Sequence, residues 1–400
     1  MDEIINVGLL RPDGSGGWLM PEMVCQVLTE RAGMLGRERT AILEQAAVDA
    51  MASTHGVKAA LESAFRLRRW PALMKLLSEH WPDLFMDSPH ELAALVAAIP
   101  RFFIEQSDHM RASLRILGLA GEKRMLPQLP AVKPNYATDF LAQSLHRDTT
   151  RLYRTPNARA IRVGMLEVIQ LRLVGLYEEA ADSAMRLRSA LGVVLSTQAT
   201  EPSLAAFTEL QAGMALHLAD RGTETRQAYE SSFHWAKVSG KSFMLADAAG
   251  KLGLLSALEG DTESSLRWVE EHEAALGAVG WGKEMLARPG AMARACLAAD
   301  RLDIIALGAE LATMPSTPDN DEFWAVHAYL LSLHRILSRS PAKAPALVHS
   351  LRVARRYAAT APLARQLLDD ALLMDALLDR RGPRLAAEYC QGDPTLIALG

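Results

Sequence analysis

The sequence has little of what several protein classes require. Only three cysteines occur in 400 residues, Cys25, Cys296 and Cys390, and they lie far apart. A disulfide framework or a cysteine-based zinc site is therefore not expected, and the low cysteine content fits a reducing, cytoplasmic compartment. No uncharged apolar run reaches the ~18 residues that a membrane-spanning helix needs. We therefore expect no contact with a membrane.

An excess of basic charge is also lacking. The chain has 43 Lys and Arg against 47 Asp and Glu, which gives a net charge of −4. Because binding to phosphate backbones needs clustered basic side chains, we expect no direct nucleic acid binding by this chain. Aromatic residues make up only 6% of the chain, and β-branched residues are scarce as well. Alanine and leucine dominate, which favours helices throughout.

The informative feature is a helix–turn–helix unit that recurs about every forty residues, a period typical of solenoids. Short polar breaks mark it, anchored at Gly175, Gly222, Gly260, Asp300, Ser340 and Gly382. Glycine supplies the left-handed residue that ends a helix, and a following Asp or Thr can cap the next one. One pair cannot bury its apolar stripe alone, but stacked pairs bury it for one another. The sequence therefore predicts an all-α, tetratricopeptide-like superhelix, a solenoid of helix pairs.

The region before the repeats is predicted to be helical too. Helical periodicity covers residues 21–33, 37–53, 57–68, 70–80 and 90–103, and a short helix is expected over residues 138–145. Pro82, in Trp81-Pro82-Asp83, is interpreted as a break between helices. A short apolar run at residues 4–10 precedes a Gly-rich turn, so a short N-terminal β-hairpin is possible. Residues 122–157 hold several prolines and are interpreted as a linker.

Several segments resemble a known family. Residues 9–18, with the sequence LLRPDGSGGW, are followed by Pro21 and resemble the end of the winged-helix module of MalT-type regulators, the large ATP-dependent LuxR-family activators. Met20 stands where that family usually has histidine. Residues 59–64, 70–77 and 92–100 are similar to the run that leads into the family's superhelical sensor domain.

Composition, spacing and the resemblance together divide the chain into four parts. They are a winged-helix-like remnant or β-hairpin at 1–20, a helical region leading into the superhelix at 21–121, a proline-containing linker at 122–157 and the repeat superhelix at 158–400. The family's NTPase module and its LuxR helix-turn-helix have no counterpart in these residues. ATP hydrolysis and sequence-specific DNA binding are therefore not implied for this chain.

Three motifs suggest chemistry at first sight, and each has a simpler interpretation. Gly240-Lys241-Ser242 matches the last three residues of a P-loop motif, but Trp235 stands where the motif requires its first glycine. We therefore interpret Gly240 as the end of one helix and Ser242 as the start of the next. Gly14, Gly16 and Gly17 are interpreted as a turn. His272-Glu273 begins like a zinc-protease helix, but Leu276 replaces the second histidine, which favours a solvated helix face. We therefore expect no metal, no cofactor and no catalytic residue.

The candidate ligand-binding residues are aromatic or basic. They are Trp235, Trp281, Lys283, Trp324, Arg352, Arg355, Arg356 and Tyr357. The tryptophans fall in successive repeats, where packing in the core is the alternative role. The three arginines share one helix face near Tyr357, which could stack on a planar ligand, and surface charge is the alternative there. The loop at Trp281 is the preferred ligand contact.

Three functions are compatible with these patterns. The first is a non-catalytic sensor or scaffold that resembles the regulatory domain of MalT-type regulators and binds a small molecule, a peptide or a protein in the groove of its superhelix. The second is a protein–protein adaptor with no small-molecule ligand. The third, an enzyme on a helical scaffold, has no specific motif in its favour.

Overall fold

A computed structural model describes residues 11–12, 18–34, 36–87, 89–105, 107–109, 111–113, 139–198, 200–314, 323–338 and 361–378. The candidate residues Arg352, Arg355, Arg356 and Tyr357 lie outside these ranges. The chain divides into two compact units between His80 and Trp81, and each is described by itself. None of the described helices is both long and apolar enough to cross a membrane.

The first unit contains one short strand pair and several helices. Strands β1 (Arg11–Pro12) and β2 (Trp18–Leu19) pair antiparallel. The described residues at this end show only this two-residue pair and no β-hairpin, and the apolar run at residues 4–10 lies outside them. The helices are α1 (Glu22–Met34), α2 (Arg37–His55), α3 (Val57–Arg66) and α4 (Trp70–Asp87), which begins in this unit and ends in the second.

The second unit is all helical in the residues that are described. Its helices after α4 are α5 (Pro89–Ala97), α6 (Arg101–Glu105), α7 (Phe140–Leu152), α8 (Ala158–Leu173), α9 (Tyr177–Thr197), α10 (Pro202–Leu218), α11 (Gly222–Ser239), α12 (Ser242–Leu258), α13 (Thr262–Gly277), α14 (Lys283–Asp300), α15 (Ile304–Ala312), α16 (Trp324–Leu337) and α17 (Pro362–Leu378). From α7 to α17, each described helix packs against the next one along the chain.

The same turn ends α8, α10, α12 and α14. A left-handed residue follows each helix: Gly175, Asp220, Gly260 or Leu302. The amide of the next residue then donates to the carbonyl five positions back, at 2.9 Å in all four turns. This hydrogen bond is the 6→1 bond of the Schellman motif. The breaks predicted at Gly175 and Gly260 are therefore confirmed, with glycine as the left-handed residue. At the other two breaks the left-handed residue is Asp220 or Leu302, and Gly222, expected to end a helix, is the first residue of α11. The breaks predicted at Ser340 and Gly382 lie outside the described residues. Asp261 caps α13 by accepting from the Ser264 amide.

Burial differs between the two helices of a pair. Helices α8, α10 and α12 are buried on nearly all sides, whereas α9, α11 and α13 bury one face. An apolar helix surrounded by others has no solvent face. The first helices also touch each other, since α8 contacts α10, α10 contacts α12 and α12 contacts α14. A Cβ added at Gly253 would lie 3.3 Å from Val269, so α12 and α13 meet closely at this small residue.

One prediction about a helix is corrected by the structure. The break expected at Pro82 is wrong, because α4 continues through it to Asp87. Proline removes one helical hydrogen bond. Burial of Trp81 and Phe85 against Phe207 of α10, with ring centroids 5.7 and 6.2 Å away, offsets that loss.

Candidate functional site

An open cleft of about 450 Å³ lies in the second unit, beside the turns that precede α12 and α14. Residues 239–243 form one side and residues 278–281 form the other. Met86 and Asp87, in the last turn of α4, complete the lining. Two inter-helix turns and one helix end therefore meet here.

Aromatic rings form one wall of the cleft. The rings of Phe243 and Trp281 stack with their centroids 4.8 Å apart and their planes at 24°. Phe85 meets the indole of Trp281 edge-on at 5.7 Å. The indole N–H of Trp281 donates to the main-chain carbonyl of Met86. The stacking on Phe243, the edge-on contact with Phe85 and the hydrogen bond to the Met86 carbonyl fix the orientation of the Trp281 ring, which lines the cleft.

One ion pair borders the aromatic wall. The Lys241 ammonium lies 2.8 and 2.9 Å from the two carboxylate oxygens of Asp87. Lys241 is the N-cap residue of α12, and its side chain makes no capping hydrogen bond among the described residues. Gly240, with φ +66°, ends α11 in the left-handed conformation. The Gly240-Lys241-Ser242 sequence is thus a helix break, as predicted, and not a phosphate loop.

The structure brings one of the sequence candidates into the cleft. Trp281 lines it, whereas Lys283 is exposed and its ammonium donates to the Gly277 carbonyl at 3.2 Å. Trp235 lies half-buried on α11 against the ring of His234, and Trp324 packs on the apolar core.

The cleft also contains residues that the sequence reasoning missed. Phe243 carries no signal beyond its place after a helix break. The end of α4 could not be foreseen because Pro82 indicated that this helix stops earlier.

A separate polar cluster lies around Glu167 of α8, which is fully buried. Its carboxylate lies 2.8 Å from Nδ1 of His146, accepts from the Thr149 hydroxyl at 2.6 Å and pairs with Arg186 at 3.0 Å. Three polar contacts stabilise a buried carboxylate and tie α7, α8 and α9 together. A histidine–carboxylate pair can move protons, but the described cleft does not include these residues.

A second buried polar cluster lies between α10, α11 and α12. Lys251 pairs with Asp247 one turn earlier, and both side chains are buried. His217 lies nearby, with Nδ1 3.4 Å from the Tyr229 hydroxyl. Burial, together with the charge of Lys251, lowers the pKa of His217 to about 3. This imidazole is therefore neutral at physiological pH.

His272 corrects a further expectation. The sequence pattern suggested a solvated face, but the ring is buried between α12, α13 and α14. Its Nδ1 lies 2.8 Å from the Ala246 carbonyl, and a Cβ added at Gly290 would lie 2.5 Å from the ring. The glycine makes room for the imidazole at this helix crossing. Across the described ranges, no group of three or more His, Cys, Asp or Glu could hold a metal ion.

Comparisons with known proteins give no relative. No family model matches the chain, and no curated protein and no solved structure matches it.

Proposed function

We propose that this chain is a non-catalytic, cytoplasmic binding protein, a helical sensor or scaffold whose cleft beside Trp281 receives a ligand. One observation carries the proposal: the indole of Trp281 lies on the wall of an open cleft, held between Phe243 and Phe85. A rigid aromatic surface beside a few polar groups is typical of binding sites, because it offers contact area at a low cost in conformational entropy.

The chemistry of the cleft favours a segment of protein as its ligand. The Lys241 ammonium, which pairs with Asp87 and is 27% exposed, suits a further carboxylate, and the Trp281 ring on the cleft wall suits an apolar side chain. Each of these groups has a counterpart in a peptide. A small effector with a carboxylate and an apolar part is the alternative ligand.

The recurring helix pairs support a regulatory role of the kind suggested by MalT-type regulators. Four first helices end in the same left-handed turn, and three of them contact the next first helix directly. Because each helix pair packs on the next, a displacement of one pair moves its neighbour as well. A ligand that binds one conformation more tightly therefore increases the population of that conformation in the whole stack. In this proposal the chain passes that bias to a partner protein.

The proposal is tested by measuring the unfolding temperature of the protein in the presence of a panel of metabolites and a panel of short peptides. A ligand present at a hundred times its Kd stabilises the protein by about 2.7 kcal/mol, which raises the unfolding temperature measurably. The shift should shrink in Trp281→Phe, which loses the indole N–H, and persist in the control Trp235→Phe on α11. No shift with either panel, or equal shifts in both variants, contradicts the cleft as the binding site.

A protein–protein adaptor is the second candidate, and a specific observation favours it. Helices α8, α10 and α12 expose almost no surface, so a small-molecule groove along them is not open in the described residues. An adaptor should respond to peptides and to no metabolite. Both candidate functions predict that the purified chain by itself neither hydrolyses ATP nor binds DNA. Specific DNA binding would overturn both.

A further inference from the structure

Helix α1 of the first unit buries none of its described side chains. All of them are exposed except that of Val24, which is half-buried. The helix has 13 residues, and isolated helices shorter than about 12–15 residues are marginal in water. Most helices in proteins gain their stability by packing an apolar face on a neighbour. Helix α1 therefore needs a surface that the described residues of its own chain do not supply.

The large apolar side chains of α1 lie on one side of the helix. Met23, Val27 and Met34 are four and seven positions apart, which aligns them in one stripe, and Leu28 widens it. These four side chains are 48–83% exposed. The neighbouring Gln26 lies outside the stripe. An exposed stripe of this kind is the side on which an amphipathic helix docks.

Helix α2 carries a second exposed apolar face. Ile42 and Leu43 are 62% and 55% exposed, whereas Val48 on the opposite side of the helix is buried. The exposed Ala46 and Ala50 continue the face of Ile42 and Leu43 by one and two turns. The faces of α1 and α2 do not cover each other within the chain, because both are exposed.

The combined area of the two faces matches one side of a dimer interface. Six large apolar side chains that are 48–83% exposed contribute to it, together with the exposed alanines of α2. They offer an area on the order of 800 Å² per chain, which is what each partner buries in a standard protein–protein interface. Burial of the two faces against a second copy is therefore sufficient for a stable dimer.

Opposite charges accompany the two faces. Glu30 lies near the end of α1, Arg39 lies in the first turn of α2, and both are exposed. If α1 packs antiparallel on α2 of another chain, the end of the one helix lies beside the start of the other. Glu30 then meets Arg39 of the second copy, and the two helix dipoles oppose each other favourably. One chain thus carries both halves of a helix–helix contact, and a two-fold axis uses each half once.

We propose that α1 of one chain docks on α2 of a second copy and that α1 of the second copy docks on α2 of the first, so that the protein is a two-fold symmetric dimer. The interface lies in the first unit. The inference therefore goes beyond the proposed function and does not depend on the ligand of the cleft at Trp281. A dimer carries two copies of that cleft.

Sedimentation velocity of the full chain at micromolar concentration tests the dimer. The wild-type protein should sediment with the mass of two chains. Val27→Glu places a charge in the middle of the α1 face and should raise the Kd of the dimer at least about 100-fold, which gives a monomer. Because Val27 is 48% exposed in the single chain, this variant keeps the fold of the chain. The control Gln26→Glu adds the same charge outside the stripe and should remain a dimer.

A mixing experiment tests which helix meets which. Glu30→Arg and Arg39→Glu each place like charges beside both contacts of the dimer, and each should raise the Kd about 10-fold. When the two variants are mixed in equal amounts, each contact of the mixed dimer regains one acidic and one basic residue. The mixture should therefore dimerise with about the wild-type Kd, which a defect in folding could not produce.

Three results would overturn the inference. A monomeric wild-type protein would leave the two faces to a different protein. A dimer that persists in Val27→Glu would show that the chains meet at another surface. Absence of recovery in the mixture would show that α1 does not dock on α2 of the second copy.

Discussion

The buried imidazole of His217 makes the stability of the second unit depend on pH. The ring lies between Tyr229 and Phe323, with centroids 5.9 and 4.8 Å away, and its Nε2 has no hydrogen-bond partner among the described residues. A proton on this ring would place a second positive charge near the buried ammonium of Lys251, which Asp247 already pairs. The folded protein therefore resists protonation of His217, and the unfolded chain does not.

The sign and the size of the effect follow from the pKa. Burial lowers the pKa of His217 from 6.5 to about 3, so between these values the unfolded chain binds a proton that the folded chain does not. The neutral His217 ring therefore costs no unfolding free energy above pH 6.5. As the pH falls from 6.5 toward 3, the free energy of unfolding decreases by about 1.4 kcal/mol for each pH unit. Between pH 6.5 and pH 4.5 this one residue should cost about 2–3 kcal/mol.

Urea denaturation at several pH values measures this cost. Other groups titrate in the same range, and burial raises the pKa of Glu209, which acts with the opposite sign. The useful quantity is therefore the difference between wild type and His217→Phe, which keeps an aromatic ring and cannot titrate. That difference should change by about 2–3 kcal/mol between pH 6.5 and pH 4.5. Parallel pH profiles for the two proteins would refute the reasoning.

Two further predictions concern backbone positions in the helix pairs. A Cβ at Gly164 would clash with the Tyr153 hydroxyl, so Gly164→Ala should cost about 1–3 kcal/mol of unfolding free energy. Tyr153→Phe alone should cost nothing, because that buried hydroxyl has no hydrogen-bond partner in the part of the chain that the structure describes, and it should recover much of the cost in the double variant. Leu302→Gly should stabilise by about 0.5–1 kcal/mol, because an exposed leucine occupies a left-handed conformation with φ +55°. Urea denaturation checks each variant, and a stable Gly164→Ala or a destabilised Leu302→Gly would contradict these accounts.

The helices and their breaks could be predicted because their signals are local. Gly175 and Gly260 have positive φ values of 78° and 77°, and glycine is the residue that adopts such angles at little cost. Asp261 caps the helix that follows Gly260. The same turn occurs at Leu302, where the sequence gives no glycine signal, so the helix that ends there was recognised only through the spacing of the repeat.

The cleft could be predicted only in part because it joins distant segments. Trp281 followed from its place in a loop after Gly280. Its partners Phe243 and Phe85 lie 38 and 196 positions away in sequence, and no local pattern relates them. Lys241 was correctly interpreted as part of a helix break, but a break alone does not indicate that its ammonium pairs with Asp87.

The sequence by itself determined that this chain is helical and where its helix pairs turn, because propensity, capping and left-handed residues act over a few neighbouring positions. The tertiary structure decided which helices lose their solvent face, that α4 continues through Pro82, and which side chains meet at the cleft. Those outcomes depend on contacts between residues far apart in the chain. The free energy of burying Trp81 and Phe85 on Phe207 outweighs the local preference of proline to end a helix.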